Sequence, residues 1–434
     1  MCCLNGSLSG ITLVKITDRL SISFGFDRIG IIFIITTLIL FLLSGIFSIE
    51  YMKEKENKKR YFSFYIILAI VLVLMGMASN LLTFYMCYEL MTLTSVPLVM
   101  HDRTKESVKA GVKYLIYSFI GAYMALYGFF VLNSVMDTLD FEYGKSLSEA
   151  ALSGQEEKVL FAVFLMIVGF GVKAGMWPMH GWLPTAHPVA PGPASAVLSG
   201  MIVKAGVLGI IRVVFYLAGT DFIKESWVWY TWISLTLVTV FLGSMMAYKE
   251  KLLKRRLAYS TVSQVSYILF GLSLLNERAY EGALLQFSAH AFAKCALFLI
   301  AGALIFMTGK TGVEDFKGIG KKYPLLMWCY IISSLSLIGI PPTGGFIAKW
   351  YLCLGAFSDE SLGFFSILGP VILIISALLT AGYLLPMGLK AFMPGEGYKV
   401  EFKGSCKTPK VMVIPVVLLT FLVLLVGILP NLFL

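Results

Sequence analysis

Six titratable residues, Glu89, Lys173, Lys204, His290, Lys294 and Lys349, stand in otherwise apolar runs of this 434-residue sequence. A charge inside a membrane costs about 2.5–3.5 kcal/mol on insertion scales, so a chain that keeps several holds them for a reason. The types suggest one. A buried carboxylate pairs with a cation or takes up a proton, a desolvated lysine gives up and regains one, and imidazole both accepts and donates near neutral pH. Together they read as stations for proton translocation. Glu89, in LLTFYMCYELMTLTS, falls near mid-depth of its run at about 1.5 Å per residue; it is either half of a static ion pair or a switchable partner in charge transfer. Lys173 precedes the break at Pro178, and Lys204 lies at mid-depth of the following run. His290 and Lys294 are spaced i, i+4 and share one helix face. Lys349 follows GIPPTGG, so it too sits beside a break. His180 and His187, in WPMHGWLPTAHP, form a candidate access path or cap helix ends. Lys113 and Arg212, near helix ends, are either interface anchors or further members of the set, and His101 falls in a loop without a specific role.

Positioning such residues requires membrane helices. The composition is 58% hydrophobic and 14% charged, which predicts an all-α polytopic membrane protein. Apolar runs near 29–50, 61–79, 80–100, 109–132, 158–178, 192–217, 226–247, 254–275, 281–307, 324–356, 364–393 and 410–433 make about twelve spans. The fifth runs into Pro178–Pro193, and the tenth is interrupted by Gly339–Gly345. Proline removes a backbone donor and glycine unwinds readily, so both read as discontinuous helices. Grouping 61–217 against 226–393 puts a discontinuous helix fourth in each of two five-helix sets of opposite orientation, an inverted repeat with an ion path at its interface. Residues 1–28 form a polar lead-in, read as a hairpin, 29–393 the transmembrane domain, and 394–434 a loop and final helix. The lead-in lacks the pattern of a cleavable signal peptide, so the first span serves as the targeting signal.

The formal charge of +10 acquires its meaning from its placement. With alternating spans, Lys and Arg concentrate in the connections at 53–60, 103–109, 249–256, 310–322 and 390–410, while the other side carries acidic loops at 137–157 and 359–360. By the positive-inside rule the basic side is cytoplasmic, both termini lie outside, and the protein sits in a plasma membrane. The net charge is topology and calls for no nucleic acid. Cys2, Cys3, Cys87, Cys295, Cys329, Cys353 and Cys406 show no metal-ligand spacing and read as reduced apolar filler. GFGVKAG lacks dinucleotide-fingerprint spacing. No cofactor, metal site or hydrolytic constellation is expected in this chain, which therefore performs no redox chemistry by itself.

YELMTLTS, VKAGMWPMHGWLPTAHPVAPGPASAVLSGMIVKAGVLGIIR, RRLAYSTVSQVSYILFGL, HAFAKCALFLIAGALI and GIPPTGGFIAKW follow one another in the order of a known family. The sequence resembles the antiporter-like proton-translocating subunits shared by respiratory complex I, energy-converting membrane-bound hydrogenases including formate hydrogenlyase, and Mrp-type cation/proton antiporters. The resemblance implies that Glu89 and Lys173 are the family's glutamate/lysine pair, Lys204 its central lysine, His290 and Lys294 its relay, and Lys349 the charged residue of its second broken helix. It also implies partner subunits, both membrane-embedded and peripheral redox subunits, and protons or Na+ as the ions moved. An Mrp-type antiporter subunit without a redox partner is the alternative. Thr185 departs from the acidic residue common in W-L-P-D-A-H, and two N-terminal helices and a long lateral helix of larger members have no counterpart here.

Overall fold

A computed structural model describes residues 10–17, 19–144, 147, 152, 154–395 and 409–434. Cys2, Cys3, Cys406, Lys399, Lys403 and Lys407, and much of the lead-in and of the loop after 393, lie outside them. The lead-in's described part is a hairpin as expected: β1 (Ile11–Lys15) pairs antiparallel with β2 (Ser21–Phe24). Helices follow: α1 (Arg28–Tyr51), α2 (Lys58–Met77), α3 (Leu81–Val99), α4 (Lys105–Val135), α5 (Glu156–Ala174), α6 (Leu183–Val189), α7 (Gly192–Ala218), α8 (Trp227–Lys249), α9 (Leu253–Ser273), α10 (Glu277–Thr308), α11 (Pro324–Ile338), α12 (Gly344–Phe357), α13 (Phe365–Phe392) and α14 (Lys410–Ile428). Among the described residues, nine are long and apolar enough to cross a membrane.

Local chemistry sets where these helices start and stop. Asp27, Asn80, Thr104, Ser226 and Asn276 occupy the N-caps of α1, α3, α4, α8 and α10, each accepting from a first-turn backbone N–H, the groups a helix leaves unsatisfied. The two expected breaks are present. α5 ends on Gly175 at φ +82° and α11 on Gly339 at φ +94°, a left-handed conformation that glycine adopts without steric cost. Between α5 and α6, Trp182 donates its indole N–H to Val172 O at 2.9 Å, a helix-end carbonyl that also accepts from Gly175 N at 3.1 Å. α7 is α-helical over Gly192–Val197 and Val203–Val213, with π-helical turns at Leu198–Ile202 and Val214–Ala218. π-turns of this kind concentrate at functional sites.

Contacts between connections fall into two sets. At the basic end, Lys55 pairs with Asp102 at 3.1 Å, Val313 N donates to Lys251 O at 2.9 Å, and Lys390 pairs with Glu314 at 2.9 Å. At the opposite end, Leu81 N donates to Leu139 O at 3.1 Å, Asn276 Nδ2 to Gly355 O at 2.9 Å, and Lys224 pairs with Asp359 at 2.9 Å. Hydrogen bonds from Lys317 and Lys390 hold Glu314 below the usual carboxylate range; at Asp359 burial opposes ionisation, yet hydrogen bonds from Ser361 and Lys224 hold it below that range too.

Packing is tight around α7, every residue of which is buried. α5 crosses it so closely at Gly206 that a Cβ there would lie 2.3 Å from Phe170 O. α1 packs on α2, α7, α10 and α14, so among the described residues the first helix meets the last.

Candidate functional site

All six stations lie on helices inside this packing. Lys173, on the last turn of α5, is 1% exposed. Its ammonium donates to Thr92 Oγ1 of α3 at 2.9 Å and to Tyr114 OH and Ser118 Oγ of α4 at 3.1 and 2.7 Å, with the Tyr114 ring centroid 4.5 Å away. Neutral hydroxyls therefore satisfy all three of its protons. Glu89, on α3, is half-buried, and its Oε1 lacks a hydrogen-bond partner. Its electrostatic neighbours are Lys173 and Tyr85.

Lys204 has no exposed surface, and neither does Lys294. The π-turn before Lys204 frees a carbonyl for it: Nζ lies 2.9 Å from Ser199 O. On its other side Nζ is 2.6 Å from Nδ1 of His290 on α10. Two buried titratable groups thus share one hydrogen bond, while His290 Nε2 has no partner. Lys294, one turn further along α10, donates to Leu257 O of α9 at 2.9 Å. The i, i+4 spacing puts His290 and Lys294 on one face, but the structure joins His290 to Lys204 and turns Lys294 toward α9.

Lys349, on α12, reaches back across the second break. It donates to Leu337 O at 2.5 Å and Ile338 O at 2.8 Å, and sits 4.8 Å from the Tyr267 ring centroid. It thereby satisfies the terminal carbonyls of α11, as a cation at a helix C-terminus does. Between it and the centre lie two amides that sequence reasoning did not single out: Gln286 Nε2 donates to Gln264 Oε1 at 3.0 Å, and Gln264 Nε2 to Leu337 O at 3.1 Å.

Of the flanking histidines, His187 is fully buried, stacked on Phe298 at 4.6 Å, with neither ring nitrogen hydrogen-bonded. His180 is half-buried in the break, with Nδ1 unpartnered. His101, outside the helices, is buried edge-on against Tyr61, and burial lowers its proton affinity.

Two readings of basic residues need correction. Lys254, counted with the basic connection at 249–256 although it also opens the run 254–275, lies in the first turn of α9, 8% exposed, and donates to Ala190 O at 2.7 Å; the connection before α9 is 250–252. Arg212 is not an interface anchor. It is 1% exposed and bidentate to Asp27, with NH1–Oδ2 at 2.6 Å and NH2–Oδ1 at 2.8 Å, and it lies against the rings of both Phe141 and Tyr216. Burial opposes ionisation of Asp27, yet the Arg212 charge and its hydrogen bonds hold this carboxyl below the usual carboxylate range. Beside this pair opens a cavity of about 380 Å³, lined in part by Arg28, Glu277, Glu281 and Tyr143.

Comparison with known proteins gives consistent matches. Residues 78–378 match the family described as NADH:quinone oxidoreductase/Mrp antiporter, transmembrane, and residues 14–62 match the complex I chain 5 N-terminus. NADH-quinone oxidoreductase subunit N of Desulforudis audaxviator is 31% identical, over 82% of this chain and 71% of its own length. A Na(+)/H(+) antiporter subunit of Bacillus subtilis is 29% identical, over 92% and 79%. Hydrogenase-4 component B of Escherichia coli is 30% identical over 92% of this chain, which spans 61% of that protein. Two solved structures share the fold. The Mrp complex of Dietzia sp. gives a TM-score of 0.84 at 21% identity, covering 99% of this chain and 86% of its counterpart. The membrane-bound sulfane sulfur reductase, an archaeal respiratory complex, gives 0.85 at 22%, covering 98% and 84%.

Proposed function

We propose a function from one premise: the chain belongs to the NADH:quinone oxidoreductase/Mrp antiporter family. It is the proton-translocating subunit of a multi-subunit, plasma-membrane oxidoreductase of the hydrogenase or NADH:quinone oxidoreductase type. The electron-transfer chemistry belongs to partner subunits, and this chain holds no cofactor. The observation that carries the reading is the 2.6 Å contact of Lys204 Nζ with His290 Nδ1 in a fully buried site. An ammonium proton passing to Nδ1 leaves a neutral amine and an imidazolium, whose Nε2–H is then free to be given onward. Glu89 and Lys173 set the charge at one end of this route, Lys294 continues it, and Lys349 lies at the other end. His180 and His187 mark the access side. A redox event that moves charge near Glu89 changes the field at Lys173, and each later proton shift follows from the change at its neighbour.

Alternating crossings support the membrane arrangement. The loop contacts described above join only connections of like parity, as about twelve crossings with two broken helices require. That arrangement makes 61–217 and 226–393 inverted repeats, puts the basic loops in the cytoplasm, and leaves both termini outside.

In the intact complex reconstituted in vesicles, Lys204→Ala should abolish proton pumping per electron transferred while leaving subunit composition unchanged. Wild-type stoichiometry in that variant overturns the route. The second reading, a subunit of a Na+/H+ antiporter, is favoured by the match to the Bacillus subtilis protein over 92% of this chain. Ion exchange without any electron donor, abolished by Lys204→Ala, distinguishes it.

A further inference from the structure

Gln264 and Gln286 are 0% and 1% exposed and lie between the Lys204/His290 centre and Lys349. Their orientation is fixed by a carbonyl. Leu337 O only accepts, so Gln264 must present Nε2 to it and Oε1 to Gln286. Gln286 must then present Nε2 to Gln264, which leaves its own Oε1 without a partner, one turn from the equally unpartnered His290 Nε2. Both hydrogen bonds in this line run toward Leu337 O. Lys349 donates to the same oxygen.

A proton cannot cross such an arrangement by hopping. A relay group must accept on one side and donate on the other. Leu337 O receives two donors and has nothing to give. An amide that accepted a proton at oxygen and released one from nitrogen would be left as an imidic acid, a high-energy tautomer. Neither amide titrates in the physiological range. The two amides are nevertheless aligned dipoles over the stretch from Gln286 to Leu337 O, so they carry an electrostatic field across it.

We propose that Gln264 and Gln286 form a proton-insulating joint, which couples the central pair to Lys349 electrostatically while preventing passive proton flow between them. The proposal rests on the proton-route reading above. Both amides are positioning residues in this scheme: Gln264 donates to Leu337 O beside Lys349, and Gln286 fixes the orientation of Gln264. A leak that bypassed coupling would dissipate the gradient the complex builds.

The test uses the assembled complex in liposomes with an internal pH dye and no electron donor or Na+ gradient, under a potassium diffusion potential set by valinomycin. Gln264→Glu puts a group that both accepts and donates protons into the joint, and should raise passive proton influx several-fold. Gln286→Glu should do the same, and serves if the first variant fails to assemble. Gln264→Met, apolar and of similar length, should leave influx at the wild-type level. Wild-type influx in both glutamate variants overturns the proposal. So does a rise in Gln264→Met equal to that in Gln264→Glu, because loosening rather than titratability would then cause the leak. Lys204→Ala is the parallel control: if it keeps normal coupled transport, the route itself fails, whatever the leak measurements show.

Discussion

At the scale of residues, the buried cations of this protein divide by the kind of partner they have. Arg212 has a carboxylate, Asp27, whereas Lys173, Lys204, Lys294 and Lys349 are held by hydroxyls, carbonyls and one imidazole. A guanidinium stays charged at all accessible pH, so burying it demands a permanent counter-ion. Asp27→Ala strands that charge and should destabilise the subunit by about 3–5 kcal/mol, seen as a lowered unfolding transition in detergent. The pH dependence has a definite sign. The folded Asp27 carboxyl titrates below its unfolded value of about 3.9, so the pair's contribution is fully present above that pH and is lost as pH falls through the folded value. Unfolding transitions measured from pH 8 down to 5 should therefore show no change from this group, with loss beginning only below about 4. Lone titratable residues in apolar runs were legible because their cost makes them conspicuous. Their partners were not: Thr92, Tyr114 and Ser118 are ordinary residues on other helices, and Asp27 lies 185 positions from Arg212.

Among the elements, α5 and α7 show what close crossing accomplishes. A Cβ on Gly206 would lie 2.3 Å from Phe170 O, 2.9 Å from Ala174 N and 3.1 Å from the Cβ of Lys173. Backbone cannot yield as a flexible side chain does, so Gly206→Ala must separate the helices. The expected cost is about 1–3 kcal/mol of stability, measurable by thermal unfolding, together with reduced coupled transport because Lys173 rides on the displaced turn. At the second break, Gly339→Ala meets both a left-handed φ of +94° and the Lys349 side chain, whose Cδ would be 2.9 Å from the new Cβ. Helix positions and both breaks could be read from run length, proline and glycine, since those signals are local. The π-turns of α7 could not, because no residue pattern in Leu198–Ile202 marks an extra residue in the turn. Gln264 was within reach: α9 carries Ser260, Thr261, Ser263, Gln264 and Ser266 in succession, all buried, a polarity that a membrane helix keeps only against protein or water.

For the molecule as a whole, the proposed orientation gives a direct labelling test. Asp137→Cys, in an exposed position after α4, should react with a membrane-impermeant maleimide in intact cells, whereas Lys251→Cys, exposed after α8, should react only after permeabilisation. The reverse pattern would invert the topology. Neighbour relations between helices were the part of the whole least accessible from sequence, since periodicity tells which face is apolar and not which helix covers it. The contact of α1 with α7, α10 and α14 illustrates this, and it has a consequence in time. Arg212 leaves the ribosome 185 residues after Asp27, a delay of roughly 10–40 s at synthesis rates of about 5–20 residues per second. Cys295, which lies 3.2 Å from Ser44 of α1, arrives later still. During biogenesis α1 therefore resides in the bilayer as a helix awaiting its neighbours, with Asp27 unpaired at its start and its buried serines and threonines facing lipid or a membrane chaperone.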